Sequence, residues 1–368
     1  MAAPEFDRNK LVFKALAERK NRVSVERDMI PVDKAVVFPE REMYLIRKTT
    51  ERVRAARETG RPVIMAFGAH AIKNGLAPVL TALIREGWVT HLATNGAGII
   101  HDWEFAFQGE TSEDVRENVE HGQFGIWDET GYYINLALNV GAFEGLGYGE
   151  SVGKMIFQEG LHIPETDHLY SLAGEKMESD PELAASAADL AGVIKKFRLE
   201  PGFMTIPHPW KKFSVQSAAW ELGVNFTGHP MIGCDIIYTH PMNHGAAVGR
   251  TALRDFLLFA GSVGRLDHGV YMSVGSAVMS PMIFEKSLSM AQNIAIQNMT
   301  RIDNHFILVV DLAGLEWDWE KDGEPPPDNP AYYLRFCKTF SRMGGEMHYL
   351  MADNRDFLLA LYQELQQV

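Results

Sequence analysis

The 368-residue sequence predicts an α/β protein built on a single doubly wound, mostly parallel sheet. The first observation is a strand–helix–strand pattern from Pro62 to Glu104, the unit from which parallel sheets are built. The second is that further strand–turn–helix segments follow as far as the last helical stretch. The third is that polar residues cluster just after the predicted strands, where open α/β sheets bind ligands.

The sequence divides into an extension and a domain. Residues 1–60 are predicted to be an amino-terminal helical extension, whose last helix stops at Gly60, a residue favoured after helix ends. Residues 61–368 are predicted to be the α/β domain. Within it, the glycine-rich letters near 120–160 predict an irregular insertion.

The elements of the domain follow from apolar runs and turn residues. Pro62–Phe67 and Leu92–Ala93 are apolar, as expected of strands buried on both faces. A helix from about Asp180 to Phe197 begins with Ser-Asp-Pro, a combination favoured at helix starts. The remaining predictions are a helix over Ser214–Leu222, strands over Val224–Thr227 and the DIIYTH segment, a helix over RTALRDFLLFAGSV, strands over VYMSV, HFILVVDLAG and EMHYL, and a closing helix.

Composition and charge exclude several classes of function. The formal net charge of -13 argues against non-specific nucleic-acid binding, which depends on basic patches. Cys234 and Cys337 are too few and too far apart for a disulfide framework, which favours a reducing compartment. The first residues have no apolar signal core, and the sequence has no apolar run of membrane-spanning length. We therefore expect a cytoplasmic protein.

A first candidate ligand turn follows the second strand. It contains Asn95, Gly96 and Gly98, and Asp102 lies shortly after them. Glycines at a strand end let backbone amides approach a ligand, and a helix amino terminus favours a phosphate. The turn lacks the complete GxGxxG pattern, so a tight turn with Asp102 as a helix cap is an equal alternative.

A second turn, GHPMIGCD, is rich in potential metal ligands. His229, Asp235, His240 and His244 fall close together in the sequence, which suggests a zinc or iron site. Their spacing matches no standard helical or knuckle motif. Hydrogen-bonding turn residues are therefore the favoured interpretation, and the metal site stays open as an alternative.

Two further segments have residues suited to chemistry. Gly275 and Ser276 follow the strand VYMSV, where small residues either contact a ligand or let a strand and a helix pack closely. Lys338 lies in the apolar segment RFCKTF, and a lysine in such a setting can act as an amine nucleophile. The acidic and aromatic run before it, which includes Asp318, suits a cationic amine.

Together these turns resemble the deoxyhypusine synthase family. FGAHAIKNGLAPVLTALIREGWVTHLATNGAGIIHD follows the family's strand, turn, helix and glycine-rich strand end with its acidic residues. SVQSAAWELGVNFTGHPMIGCDIIYTHP follows a later family stretch, with Gly233, Asp235 and His240 at the corresponding places. The resemblance covers about residues 60–365 and implies a Rossmann-like domain that binds NAD and forms a homotetramer.

The resemblance also implies NAD-dependent transfer of an aminobutyl group from a polyamine such as spermidine, through a lysine-bound imine. Removal of a hydride converts an unreactive amine into an electrophilic imine, which a lysine can capture. On this basis Lys338 and His240 are the expected catalytic residues. The expected cofactor contacts are Asn95, Gly96, Gly98, Asp102, Gly233, Asp235, Gly275 and Ser276, and the expected substrate contacts are His70, Asn74, His101 and Asp318.

Two other interpretations stay open. One is a metal-dependent hydrolase or lyase that uses His229, Asp235, His240 and His244. The other is a nucleotide- or polyamine-binding protein that has the same fold and no catalytic activity, because a fold does not by itself imply a function.

Overall fold

The computed structural model describes residues 4–314, 317–319 and 321–367, and a parallel sheet lies at its centre. The strands, in chain order, are β1 (Asn21–Ser24), β2 (Val63–Phe67), β3 (His91–Asn95), β4 (Glu110–Glu113), β5 (Gly160–Ile163), β6 (Gly202–Thr205), β7 (Asn225–His229), β8 (Val270–Val274), β9 (Phe306–Asp311) and β10 (Glu346–Met351). Six of them form one sheet in the order β10–β9–β8–β2–β3–β7, with every neighbouring pair parallel. The predicted doubly wound α/β sheet of Rossmann type is confirmed.

Helices cover both faces of this sheet. In chain order they are α1 (Val25–Asp28), α2 (Glu40–Glu58), α3 (Ala69–Lys73), α4 (Ala77–Arg85), α5 (Gly96–Gln108), α6 (Val115–Glu120), α7 (Asp128–Glu144), α8 (Tyr148–Gln158), α9 (Thr166–Lys176), α10 (Pro181–Phe197), α11 (Val215–Leu222), α12 (Gly245–Val263), α13 (Met279–Gln297), α14 (Arg335–Ser341) and α15 (Asn354–Gln366). The side chains of β2 point alternately to the two faces of the sheet, and each face has its own core cluster. Val63, Met65 and Phe67 pack in one cluster, and Ile64 and Ala66 pack in the other.

The strand order changes direction once, between β2 and β8. From β2 the chain adds β3 and then β7 on one side, and it then returns to add β8, β9 and β10 on the other. This is the order in which dinucleotide-binding sheets are wound, and ligands bind outside the carboxyl ends of such strands where the order reverses. The turns after β2 and β8 are therefore where a ligand is expected to bind.

Most of the predicted elements coincide with the structure, and one predicted strand is wrong. α10 begins at Pro181, and the Asp180 side chain accepts a hydrogen bond from the Leu183 amide at 3.1 Å, as the Ser-Asp-Pro start predicts. The DIIYTH segment is instead a 3₁₀ turn, Ile236–Thr239. It does not pair with the sheet because it packs on α7, where Asn135 Nδ2 donates a hydrogen bond to the carbonyl of Ile237 at 2.9 Å.

The glycine-rich region near 120–160 is largely helical, in contrast to the irregular insertion predicted from its composition. It forms α7 and α8, and its glycines lie where another chain segment comes close. A Cβ at Gly153 would lie 2.7 Å from the carbonyl oxygen of Gln216, and a Cβ at Gly131 would lie 2.6 Å from the Cβ of His240. These glycines therefore permit close packing of helices and do not break them.

The amino-terminal residues pack on the domain. α2 packs against α15, and β1 pairs with β4 in a two-stranded antiparallel sheet. The predicted boundary at residue 60 stays a prediction. None of the helices in the described part of the chain is long and apolar enough to span a membrane.

Candidate functional site

Two groups of residues lie at the carboxyl edge of the sheet. The first is at the reversal of the strand order, where the turns after β2 and β8 touch. The Gly68 amide donates a hydrogen bond to the carbonyl of Val274 at 3.1 Å. A Cβ at Gly68 would lie 3.2 Å from the carbonyl carbon of Gly275 and would overlap its oxygen, so only glycine fits. Gly275 has a φ of 57°, in the left-handed region that favours glycine.

The second group surrounds a cavity of about 210 Å³ that we call the Asp235 pocket. It lies between α3, the first two turns of α5, the β4 strand and the loop after β7. The charged and titratable side chains on its wall are Arg19, Lys73, His101, Glu104, Glu113 and Asp235. The carboxyl edge of the sheet thus has a cavity of the size of a small metabolite, lined by both charged and apolar side chains.

Asp235 has an unusual environment for a carboxyl group. Its carboxyl group lies beside Gly96 at the start of α5, where a Cβ on residue 96 would come within 2.7 Å of Oδ1. Its Oδ2 is buried and has no hydrogen-bond partner. Burial raises the pKa of Asp235 to about 6, and a backbone contact from Met231 only partly opposes this. A carboxyl group with this pKa can both accept and donate a proton near neutral pH.

Two buried tyrosines lie close to Asp235. The hydroxyls of Tyr148 and Tyr238 are buried and, like Asp235 Oδ2, have no hydrogen-bond partner. Burial and the charge of Asp235 raise the pKa of both hydroxyls, so both stay protonated and can donate. Buried polar atoms are normally hydrogen-bonded, and three such atoms without partners around one carboxylate mark a place for a polar ligand or water.

A buried ion pair supports one wall of the pocket. Arg19 donates to both carboxylate oxygens of Glu104, at 2.8 and 2.7 Å, and both side chains are almost fully buried. Glu113 accepts hydrogen bonds from Asn118 and Trp127 at 2.7 and 3.0 Å, and burial raises its pKa. Since the guanidinium neutralises Glu104, the charge of the cavity is set by Glu113, Asp235 and Lys73.

His101 is held in one tautomer by its neighbours. Thr111 Oγ1 donates its single proton to Glu104 Oε2 at 2.5 Å, so the contact of 2.7 Å between His101 Nδ1 and Thr111 Oγ1 needs a proton on Nδ1. Burial lowers the pKa of His101 to about 4, which keeps the ring neutral. The Nε2 lone pair is thus an acceptor on the wall of the pocket. The charges of His70 and Lys73 on α3 also act on this ring.

Asn95 and Asp102, two of the predicted cofactor residues of the first turn, cap helices in the structure. Asn95 caps α5 by accepting a hydrogen bond from the Gly98 amide at 2.9 Å. Asp102 is fully buried and accepts hydrogen bonds from Ser214, from the Val215 amide and from both nitrogens of Gln216. Asp102 therefore caps α11, while the start of α5 faces the Asp235 carboxyl group where a phosphate was expected.

The predicted residues of the third turn lie at the reversal of the strand order. Ser276 is buried and its hydroxyl accepts a hydrogen bond from the Ser280 amide at 3.2 Å. Asn74 Nδ2 donates to Oδ1 of Asn354, the first residue of α15, at 3.1 Å. Gly233 has a φ of 87° in the loop that leads to Asp235. The cofactor contacts of Gly233, Gly275 and Ser276 and the substrate contact of Asn74 stay predictions.

The expected nucleophile lies away from the Asp235 pocket. Lys338 is on α14, where its ammonium group lies 3.2 Å from the centroid of the Tyr332 ring and 3.7 Å from Glu324. α14 connects β9 and β10, so β8, β2 and β3 separate its end of the sheet from β7 and Asp235. At the usual strand spacing this is about 19 Å. The structure does not bring Lys338 and Asp235 together.

Two other predicted residues also lie outside the pocket. His240 packs edge-on against Phe13, with its Nε2 3.2 Å from Asp128 Oδ1 and its Nδ1 accepting from the Met242 amide at 3.0 Å. Asp318 accepts a hydrogen bond from the Lys321 amide at 3.1 Å and lines a separate cleft beside α2.

The structure contradicts the alternative of a metal centre formed by the turn after β7. His229 hydrogen-bonds Thr227 at 2.9 Å and packs edge-on against Phe259, while His240 pairs with Asp128. In residues 4–314, 317–319 and 321–367, no three His, Cys, Asp or Glu side chains are grouped so that they could hold a metal ion. Residues close in sequence diverge here because the loop turns after Asp235.

Sequence reasoning missed Arg19, Glu113, Tyr148 and Tyr238. Arg19 and Glu113 reach the pocket through the pairing of β1 with β4, which joins segments about ninety residues apart. The sequence has no signal for Glu113, whereas the structure has one beside it, because Ser112 is a left-handed non-glycine residue with a φ of 74°. Such strained residues concentrate at functional sites.

Comparisons with known proteins identify no family for this chain. No protein-family model and no curated protein matches it. Among solved structures, it is similar to ArgZ, an arginine dihydrolase from the ornithine–ammonia cycle in cyanobacteria (15% identity, TM-score 0.40), covering 90% of this chain and 33% of that one. It is similar to AgrE in a ternary complex with ornithine and NAD⁺ (15% identity, TM-score 0.44), covering 90% and 34%. It is also similar to a conserved putative LOR/SDH protein from Methanococcus maripaludis S2 (12% identity, TM-score 0.45), covering 92% and 73%.

These findings contradict the resemblance to the deoxyhypusine synthase family. The matching structures described above are arginine dihydrolase and LOR/SDH proteins, and the chain spans only about a third of the length of ArgZ and AgrE. The motifs behind that resemblance, a glycine turn after a strand and a Gly-Asp turn, arise in many parallel sheets. At such identities and scores, the likeness carries no information about activity.

Proposed function

We propose that this chain is an NAD-dependent enzyme that removes a hydride from a small amine, with the Asp235 carboxylate as the proton acceptor. The observation that carries the proposal is the buried Asp235, with its unpartnered Oδ2 and its pKa of about 6, in a cavity at the carboxyl edge of a doubly wound sheet. The proposal uses fold and site together, since fold alone does not imply function.

NAD is the cofactor class that fits the turns after β2 and β8. The strand order reverses between these turns, and dinucleotides bind where it does. Gly275 is exposed and lacks a side chain, which lets a ligand approach its backbone closely. Gly275 and the exposed Ala277 would contact the dinucleotide, and the nicotinamide would supply hydride acceptance.

The pocket suits an amine for reasons of charge. Its wall has three carboxyl groups, of Asp235, Glu104 and Glu113. Arg19 and Lys73 supply two positive charges, so one negative charge remains when all three carboxyl groups are ionised. His101 also lines the pocket, and its Nε2 can accept a hydrogen bond from an N–H group of the amine. A cavity of about 210 Å³ limits the part of the substrate that enters to a few non-hydrogen atoms beyond the amine.

The reaction balances with the residues at hand. The ammonium form of the amine would first release one proton to the carboxylate of Asp235, which frees the electron pair of the nitrogen. The C–H bond next to the nitrogen would then break, its electron pair leaving as hydride to the bound cofactor while the nitrogen electron pair forms the C=N bond, so that an iminium ion is left. Aminobutyl transfer through Lys338 is not included, because Lys338 lies at the other end of the sheet.

Calorimetric titration with NAD⁺ tests the cofactor. We expect binding in the micromolar range, typical of cofactor and substrate affinities in enzymes. Ala277→Trp, at an exposed position after β8, should weaken it at least tenfold, while Ala185→Trp, at an exposed position on α10, should leave it unchanged. Absence of NAD⁺ binding by the unmodified chain would overturn the proposal.

Asp235→Asn tests the chemistry separately from the cofactor. With putrescine, spermidine and ornithine as probes, we expect amine-dependent formation of NADH by the unmodified chain, followed by absorbance. Asp235→Asn should retain NAD⁺ binding and lose this activity at least a hundredfold, the usual range for a general base. If the variant keeps full activity, Asp235 is not the proton acceptor.

A further inference from the structure

A second surface of the molecule is apolar and uncovered, and it lies on the outer side of α12 and α13. Leu253 and Leu257 on α12 are 58% and 51% exposed. Met282, Met290 and Ile294 on α13 are 50%, 42% and 62% exposed. Residues four or eight apart lie on one side of a helix, so each helix presents one apolar stripe. We call this surface the α12–α13 face.

The α12–α13 face does not contribute to the core of the sheet. The opposite sides of the same helices supply that core, through Phe259 and Val263 of α12 and Phe284 and Leu288 of α13, which are all buried. The two helices pack against each other, and on both of them the exposed stripe lies on the side away from these core residues. Large apolar side chains that stay this exposed on adjacent helices mark an interaction surface.

The charged groups beside this surface are largely paired within the chain. Arg250 binds Glu182 at 2.8 Å and Asp189 at 2.7 Å, and Lys286 binds Glu285 at 2.5 Å. Arg254 is exposed at the border. A chain with a net charge of -13 would repel a second copy through most of its surface, so an uncharged contact area is where two copies can meet.

We propose that two copies of this chain associate through the α12–α13 face. Both helices have 19 residues, which makes each about 28 Å long. Two adjacent helices are about 20 Å wide, so the face has a footprint of about 560 Å². A standard interface buries about 600–1,000 Å² on each partner, so this face supplies most of what a stable dimer needs.

The shape of α12 favours a second copy over an unrelated partner. Leu253 and Leu257 lie between Gly249 and Gly261, and a Cβ at either glycine would meet no atom within 4 Å. A helix with projecting leucines between open glycine positions is complementary to itself, because the leucines of one copy fit over the glycines of the other. Two-fold interfaces require this self-complementarity.

Sedimentation velocity of the full chain tests the proposal, and it needs no cofactor. We expect a dimer at micromolar concentration, and Leu257→Glu should convert it to a monomer because it buries two unpaired charges at the interface. Val119→Glu, at a similarly exposed valine on α6, should remain dimeric. Circular dichroism verifies that both variants are folded.

Two results would overturn the proposal. One is a chain that stays monomeric over the whole micromolar range. The other is a dimer that persists in both Leu253→Glu and Leu257→Glu with the fold intact, since this would place the contact elsewhere. In a Cys234→Ser background, Leu257→Cys should cross-link two copies under oxidising conditions, and failure of a dimer to cross-link there would also argue against a two-fold axis near α12.

Discussion

Asp235→Asn should make the protein more stable at neutral pH while it removes the proposed proton acceptor. Burial raises the pKa of Asp235 from 3.8 to about 6, so the folded chain holds this carboxylate at a free-energy cost. A shift of about two units corresponds to about 3 kcal/mol. Asp235 is partly exposed and the amide oxygen can keep the Met231 contact, so we expect a gain of about 1–3 kcal/mol.

The sign of the pH dependence follows from proton binding. Between pH 3.8 and about 6 the folded state holds the proton of Asp235 more tightly than the unfolded state does. The contribution of Asp235 to stability therefore falls as the pH rises through this range and is constant above it. Below pH 3.8 both states are protonated and the penalty vanishes. The variant should thus gain little at pH 4.5 and the full amount at pH 7.5.

Urea unfolding at pH 4.5 and pH 7.5 measures this difference, with the slope of the unfolding curve as a test that the unfolded states are alike. Asp33→Asn, at an exposed aspartate in a turn, is the control and should have the same stability as the parent at both values. The reasoning is refuted if Asp235→Asn is no more stable than the parent at pH 7.5. It is also refuted if the gain is as large at pH 4.5.

Two other substitutions test the walls of the pocket. Gly96→Ala would place a Cβ 2.7 Å from Asp235 Oδ1, so it should displace the carboxyl group and abolish turnover. The control Gly87→Ala, in a left-handed turn, should lose stability and keep its turnover. Equal turnover by Gly96→Ala and the parent would contradict this prediction. Arg19→Met should lower the free energy of unfolding in urea by about 3–5 kcal/mol, because it leaves Glu104 buried and uncompensated. The double variant Arg19→Met/Glu104→Gln should recover much of this lost stability. If it recovers none, the loss in Arg19→Met comes from packing and not from the uncompensated charge of Glu104.

The sheet was predictable because its signals are local. β2, β8 and β9 are apolar runs of five or six residues, and α10 begins with the Asp180 cap that its sequence predicts. The DIIYTH segment has the same local signal as a strand, yet it forms a 3₁₀ turn on α7. Whether the segment forms a strand or a 3₁₀ turn depends on its packing against α7, a contact that a short window of sequence does not contain.

The candidate site was predictable only in part, because its residues come from distant segments. Asp235 and His101 stood out as polar residues after strands, and both line the pocket. Arg19 lies in a segment without any signal, and it enters the pocket only through a strand pairing between residues 21–24 and 110–113. Asp102 stood out for the same reason as Asp235, although its four hydrogen bonds to α11 give it a structural role.

Asp102 and Asp235 illustrate why position in the sequence cannot separate a structural carboxylate from a reactive one. Both follow a strand of the sheet, Asp102 is fully buried and Asp235 is partly buried, and burial raises the pKa of each. The difference lies in their partners, since donors from α11 surround Asp102 while Asp235 Oδ2 has none. An unsatisfied carboxylate is costly, and a fold tolerates that cost where a ligand or a proton is to be bound. The number of donors around each group, which only the structure supplies, therefore selects Asp235 as the reactive residue.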